Sequence, residues 1–499
     1  MTTAPGHSIL GPGYRRLTLG MVLVVSFIAF EAIAVATVLP VVVRHLGGIR
    51  LYGWAFSAFM LAQLVGIVVA GPLVDRIGML RPTLVAAVLF SVGLLVDGTA
   101  PTMLVLVVGR VVQGVGAGVL VVALNVLVGR GYPAPLRPRA YAAMSTAWVI
   151  PGVVGPAVAG VVAEDLSWRL VFLALIPAVL AAAAIALPAI AHAEATPSEA
   201  DAPSDLGARP GPSRAEKRPG VVVAVALAGG TALVIEALSA RQPVLSPVLG
   251  LIGLALVVPA LRSVIPGRVV SPGRPADGRR PDQRQLGTMG VAALVNLGFF
   301  GAEAFLPLSL TSLHHRSVTE AGVVLTVAAL TWTAGSWVQA RLVHVVGPRR
   351  LCTMGLALVA VGVAGVGTLD WSSTPWWVGF VAWGVAGAGM GLSYATTTLV
   401  VLSSAEAGRQ GGPIAAMQVL VTLGVAVGSG VGGAALALSI ALGDGRAPGL
   451  RAVDATAVVA ALVGLCLTVT MPRSVPAGDG HGAVTRPEPS TGPVVETAR

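Results

Sequence analysis

The chain has 499 residues, 55% of them hydrophobic and 11% charged, with a mean hydropathy of +0.85. A soluble protein carries about 25% charged residues, so 32 Lys and Arg plus 22 Asp and Glu are too few to clothe a water-facing surface. A soluble enzyme and a nucleic-acid-binding protein are excluded, and the net charge of +10 matters through its distribution rather than its sum.

A helix needs about 20 apolar residues to cross the hydrocarbon core. By that ruler a short segment, 1–17, precedes six spans at 18–43, 52–74, 82–98, 101–128, 140–163 and 168–191. The first run is longer than a signal-peptide core and lacks a small-residue cleavage site, so it reads as a helix that stays attached. A linker rich in Pro, Ala and Ser covers 192–219, and spans at 220–238 and 244–261 form a hairpin within 220–261. An arginine-rich linker occupies 262–285. Six more spans, at 286–312, 319–343, 351–369, 375–402, 413–441 and 453–471, make up 286–471, and the tail 472–499 reads as disordered by composition. The expectation is an all-α polytopic membrane protein with fourteen spans, the 63 Gly and 35 Pro falling inside apolar runs that pack closely or bend. An even number of spans puts both termini on one side. Placing that side in the cytoplasm keeps 24 of the 32 basic residues inside, so the expected site is the inner (plasma) membrane with cytoplasmic termini. Cys352 and Cys466, in or beside apolar runs, read as buried small hydrophobes rather than a disulfide.

The two sets of six spans repeat each other. Pro40 corresponds to Pro307, and the loop 75–81 to 344–350, with His344 and Val345 in place of Asp75 and Arg76. Gly114, Gly116 and Gly118 of span four correspond to Gly387, Gly389 and Gly391 of span twelve. Gly152, Pro156 and Gly160 of span five correspond to Gly424, Gly428 and Gly432 of span thirteen. The register drifts only between 267 and 273 residues, so the halves are duplicated and the 220–261 hairpin is an insertion. Such an architecture suits a rocking two-lobed carrier.

Four segments carry a family resemblance. They are Gly71-Pro72-Leu73-Val74-Asp75-Arg76-Ile77-Gly78-Met79-Leu80-Arg81 between spans two and three, Arg110-Val111-Val112-Gln113-Gly114-Val115-Gly116-Ala117-Gly118 in span four, the run from Pro151 to Gly160 in span five, and Glu31 through Pro40 in span one. Over about 17–471 they resemble the major facilitator superfamily, and within it the fourteen-helix drug:proton antiporters. The span-one segment has Glu where that family usually has Asp, and the span-five segment is one that symporters and uniporters of the superfamily usually lack. The resemblance implies two pseudo-symmetric six-helix halves plus the inserted hairpin, with spans one, four, nine and twelve lining a central cavity.

Residue chemistry accompanies the resemblance. Asp75 and Arg76, with Gly71, Gly78 and Arg81, sit where an acid can cap a neighbouring helix and act as a conformational latch, although a solvated loop with topogenic arginines would look the same. Gly152, Pro156 and Gly160 share one helix face, with Gly155 beside it. That face is expected to meet span thirteen, either as a seal between lobes or as plain close packing. An intramembrane arginine is costly and usually functional, so Arg110 with Gln113, Gly114 and Gly118 marks span four. Burial favours a neutral carboxyl and a nearby guanidinium favours the ionised one, so Glu31 beside Arg110 is the candidate for proton and cation coupling, with Glu303 a second. Tyr394, Thr396 to Thr398, Met417 and Gln418 are candidate cavity contacts or core packing. Glu236 reads as a membrane-edge or packing residue, and Asp97, Glu164 and Asp165 as solvated helix-end acids. Lys217 has no Gly-rich loop before it, so ATP drive and other cofactors are not expected. The expected function is proton-coupled export of a lipophilic or cationic small molecule by a monomer whose partners are protons and the bilayer. The alternatives are a proton-coupled importer of a sugar or metabolite and a membrane-embedded receptor or enzyme.

Overall fold

The structure, a computed structural model, describes residues 8–11, 13–195, 220–239, 242, 244–264, 283–404 and 411–474. The expectations for most of both linkers and for the tail beyond 474 therefore lie outside the described residues. The first half comprises α1 (Arg15–Leu46), α2 (Trp54–Ile77), α3 (Leu80–Thr99), α4 (Met103–Gly131), α5 (Arg137–Thr146), α6 (Val149–Val161), a π-helical turn (Val162–Ser167), α7 (Trp168–Leu173) and α8 (Leu175–Ala195). The hairpin is α9 (Val221–Ser239) and α10 (Leu245–Val264). The second half comprises α11 (Gln283–Glu303), α12 (Leu306–Leu313), α13 (Val318–Val346), α14 (Pro348–Gly367), α15 (Val378–Ser403), α16 (Gly411–Leu442) and α17 (Ala447–Leu467). Among the described residues 13 stretches are long and apolar enough to cross a membrane, one of them the 54-residue run Arg139–His192.

Backbone chemistry sets the short loops. Gly78, at φ +81°, ends α2, and Gly347, at φ +87°, ends α13, each donating its N–H to the carbonyl four residues earlier. That left-handed turn favours glycine and lets the next helix start at once. Ser317 opens α13 through a capping box with Glu320.

The repeat is visible in the packing. In the first half Gly114 and Gly118 let α4 meet the backbone of α2 at Phe59 and Gln63, while Gly116 faces Ala86 and Phe90 of α3. In the second half Gly387 and Gly391 face Ala328 and Trp332 of α13, while Gly389 faces Gly355 of α14. A Cβ at Gly114 would also come within 2.9 Å of Ala62 Cβ. Gly114→Ala is therefore expected to cost about 1–3 kcal/mol through overpacking, while Gly152→Ala, 3.2 Å from Ala329 Cβ, fits with a small shift. Thermal unfolding of the two variants in detergent measures the difference.

Within each half one end is shared by the entry of the first helix and the short loops. Thr18 meets Tyr132 and Glu194 meets Met79, while Gly287 faces Thr470 and Gly347 faces Arg473. The halves join from the opposite, far end to about mid-depth. Gly53 of the loop before α2 lies on Gly433 of α16, Ser57 bonds Ser429 at 3.1 Å, and Tyr52 packs on Phe305 at 5.3 Å.

The other seam overturns an expectation. Gly152, Pro156 and Gly160 do share a face, but it lies on α13, meeting Ala329, Gly322 and Thr319, and not on span thirteen. The glycines of α16 serve different neighbours, Gly424 and Gly428 facing Ala293 and Leu297 of α11, and Gly432 facing Phe305. A smooth helix face admits any close neighbour and does not specify which one.

The hairpin is not symmetric about these seams. α9 packs on both α2 and α16, with Ile235 against Gly430 and Ser57, so it covers the seam between them. α10 packs on α9 through Gly230 and Gly253 and otherwise faces outward. Glu236 is exposed on α9, and an apolar groove of about 640 Å³ beside Val225 and Leu233 faces the same surroundings. Cys352 is buried as expected; Cys466 is exposed, because its side of α17 faces out of the bundle into the apolar surroundings rather than a protein core.

Candidate functional site

Glu31 lies midway along α1, between the buried apolar positions Ile28 and Ala34, and Arg110 lies on α4 opposite it. The two form a salt bridge through Arg110 Nη1 and Glu31 Oε1, with side chains 2% and 1% exposed. Nη1 also donates to Gln113 Oε1 at 2.5 Å, and Nε donates to the Ala55 carbonyl of α2 at 3.0 Å. The guanidinium stands 4.2 Å over the Phe59 ring. Three helices therefore hold one buried cation, and only a dense set of acceptors offsets its desolvation.

In the second half Trp383 replaces Arg110, and it stacks on Phe299 of α11 at 4.5 Å with rings 18° apart. An ion pair between α1 and α4 of one half thus has, as its counterpart in the repeat, an aromatic stack between α11 and α15 of the other. Glu303 is the last residue of α11, before the break at Ala304 and Phe305 that starts α12. It does not join the Arg110 network, and its Oε2 is buried without a hydrogen-bond partner among the described residues. Glu31 Oε2, Gln113 Nε2, Tyr52 Oη and Trp383 Nε1 are in the same condition. Buried polar groups without partners are exceptions in folded proteins, and here they are available to a ligand or a bound proton.

The other sequence candidates lie outside the Arg110 network, and two of them, Tyr394 and Met417, pack in one apolar cluster. Tyr394 packs edge-on against Trp332 at 6.1 Å, and Met417 is buried with Met289 and Ala292. Gln418 is part-buried on α16, and Thr396 is spent on the Leu392 carbonyl. Gly155 faces the Phe30 ring on α1. Gly71 and Asp75 lie in the last turns of α2, the Asp75 side chain being outside the described residues, while Arg76 and Arg81 are exposed. The carboxylate that caps α3 is that of Glu194, which accepts from the backbone N–H of Met79 and, at 3.2 Å, of Leu80. Sequence reading placed Glu194 in the linker, but α8 continues to Ala195 and carries it to the cap.

Of the acids expected to be solvated, Asp97 is buried, and Glu164 is exposed yet engaged by the other half. Glu164, in the π-helical turn, accepts from the backbone N–H of Val318 and, at 2.6 Å, from Thr319 Oγ1 at the start of α13, bridging the halves at the far end. Asp97, on the last turn of α3, is 0% exposed and packs on Gly109 of α4, while Leu173 of α7 faces its neighbour Gly98. A sequence signal for Asp97 existed: Asp370 stands 273 residues later, the offset that relates Gly114 to Gly387. Asp370 is also buried, but it is held by Ser309 Oγ at 3.0 Å and by Asp454.

The duplicated bundle and its buried charge have relatives. The chain matches the Major Facilitator Superfamily over residues 19–429 and 288–490. It is 34% identical over 200 residues to an uncharacterized MFS-type transporter of Mycobacterium tuberculosis, spanning 38% of this chain but 29% of that relative's length. A probable multidrug-efflux transporter of the same organism is 26% identical over 419 residues, 82% of this chain and 85% of the relative. The multidrug transporter protein MdtP of Bacillus subtilis is 23% identical over 389 residues, 78% and 69% of the two chains. Among solved structures, a POT family peptide transporter superposes with a TM-score of 0.65 at 15% identity, covering 92% of this chain and 98% of the other. The human organic anion transporter MFSD10 superposes with a TM-score of 0.56 at 17% identity, covering 92% and 99%. With its apolar helices, two halves and superfamily match, this chain is a multi-pass membrane transporter, not an enzyme, and belongs to the Major Facilitator Superfamily.

Proposed function

We propose that the protein is a fourteen-span antiporter that exports lipophilic or cationic small molecules in exchange for protons, with both termini in the cytoplasm. The 54-residue run Arg139–His192 would be about 80 Å long as one helix, against a hydrocarbon core of about 30 Å. Ser167 is extended there, at φ −165° and ψ 136°, and separates α5–α6 from α7–α8 as two crossings. Contacts seal the far end, which supports access from the end that this reading assigns to the cytoplasm. A relative described as a probable multidrug-efflux transporter supports the direction of transport.

The observation that carries the reading is the buried Glu31–Arg110 pair, present in one half and replaced by an aromatic stack in the other. A buried carboxylate with one free oxygen gives a cationic cargo a seat beside Arg110, and a proton bound in the same charged site opposes that cargo, so each displaces the other. Alternating access then couples the two fluxes. One proton moving inward through 100 mV releases about 2.3 kcal/mol, which supports about a fortyfold gradient of a neutral cargo. Exchange of one proton for a monovalent cation moves no net charge and is driven by the pH difference. In energised cells, efflux of a lipophilic cationic dye is expected to stop when an uncoupler is added. Export that continues unchanged would refute proton coupling, and uphill uptake of the dye by those cells would reverse the assigned direction.

A further inference from the structure

We propose that Glu31, Asp97 and Arg110 form one buried charge cluster holding a single exchangeable proton, which Asp97 carries while Arg110 is paired with Glu31, and that a cationic cargo displaces it. The inference rests on the antiport reading and adds a residue that reading does not use. Asp97 belongs to α3, outside the four spans expected to line the cavity. Both of its carboxyl oxygens are buried without a hydrogen-bond partner among the described residues. It packs directly on Gly109, the neighbour of Arg110, so closely that a Cβ there would fall on Oδ1.

The charged groups around Asp97 can be named element by element. From α4 it is acted on by Arg110, and from α1 by Glu31. From α7, Arg169 is engaged elsewhere, its Nη2 donating to the Ala100 carbonyl at 3.0 Å and its guanidinium standing 4.4 Å over Trp168. The cluster thus contains two acids and one guanidinium. Fully ionised it carries one negative charge in excess, and in an apolar interior that excess must be neutralised. Because Arg110 is spent on Glu31 and Gln113, the unpartnered acid, Asp97, is the one that holds the proton. When a cation enters beside Glu31, Arg110 is repelled toward Asp97, which gives up its proton to the cytoplasmic water and becomes the partner of the guanidinium. Reprotonation of Asp97 from the outside returns Arg110 to Glu31 and expels the cation.

The second half supplies the contrast. Asp370 occupies the repeat position of Asp97 and is tied to Ser309 and Asp454, and no arginine stands at the Arg110 position. There the buried aspartate has a hydroxyl donor in Ser309, and the cation beside it, Arg451, comes from α17 and donates to the Asp370 backbone carbonyl at 3.2 Å.

The test uses the full-length purified transporter in weakly buffered detergent, with tetraphenylphosphonium as the cation and a pH-indicator dye. The wild type is expected to release about one proton per cation bound, and Asp97→Asn, which fixes the neutral form and gives Arg110 no second carboxylate, is expected to release none and to bind the cation at least about tenfold more weakly. In the wild type, infrared difference spectra are expected to lose a protonated-carboxyl band on cation binding, a readout that needs no variant to fold. Proton release by a folded Asp97→Asn protein, or a wild-type carboxyl band unmoved by the cation, would overturn the role of Asp97. If the wild type binds the cation and releases no proton at all, the antiport reading itself fails.

Discussion

Glu31→Gln is expected to abolish uphill export, dropping the ratio of a neutral cargo across the membrane from about fortyfold to about one. Counterflow of labelled cargo down its own gradient should survive at reduced rate, because it needs the lobes to rock but no proton to move. Stability gives a second, independent readout. Removing one member of a buried ion pair costs about 3–5 kcal/mol when the other charge is left alone. Asp97 offers Arg110 a second carboxylate, so the loss for Glu31→Gln is expected at or below about 3 kcal/mol. Asp97→Asn alone leaves the observed pair intact and is expected to cost less than about 1 kcal/mol. The double variant strands the guanidinium and should lose about 3–5 kcal/mol, clearly more than the two single losses added together. Thermal unfolding of the four proteins closes that cycle. An additive double variant would separate Asp97 from the pair, and full uphill export by Glu31→Gln would remove Glu31 from coupling.

The apolar runs were legible because the bilayer imposes one length and one polarity on every span. The duplicated glycines were equally legible, since each marks a close helix approach. What failed was the assignment of neighbours and the environment of helix ends. Pro40 and Pro307 align in sequence, yet Pro40 lies inside an unbroken α1 while Pro307 stands near the start of α12, where a missing N–H costs nothing. The break beside Glu303 was therefore invisible to the repeat. Glu31 and Arg110 could be chosen because a charge inside a span is conspicuous. Asp97, Glu164 and Glu194 could not be chosen that way, because hydropathy treats a span's end as water. In the fold that end is covered by α4 at Asp97, while the exposed Glu164 and Glu194 accept from the first N–H groups of a helix of the opposite half and of α3, partners that hydropathy does not reveal.

The two seams between the halves differ chemically, and the difference predicts where the far end opens. Along α2 and α16 the seam is glycine backbone against glycine backbone, with α9 lying across it. Along α6 and α13 it ends in the Glu164 carboxylate, which accepts the first N–H of α13, a donor that the capping box of Ser317 and Glu320 leaves unused. A carboxylate at a helix N-terminus contributes about 0.5–2 kcal/mol, and this one contributes only while the far end is closed. Glu164→Ala is therefore expected to raise the population open at the far end by about five- to tenfold, corresponding to about 1–1.4 kcal/mol. Glu164→Gln, which keeps an acceptor but loses the charge, should lie between that variant and the wild type. Spin labels at Leu166 and His315, in a background with the exposed Cys466 replaced by serine, report the change as a longer distance component. An unchanged distance distribution in Glu164→Ala would show that the seam holds without its carboxylate. A larger opening at labels flanking Gly53 and Gly433 than at Leu166 and His315 would place the moving seam on the side that α9 covers.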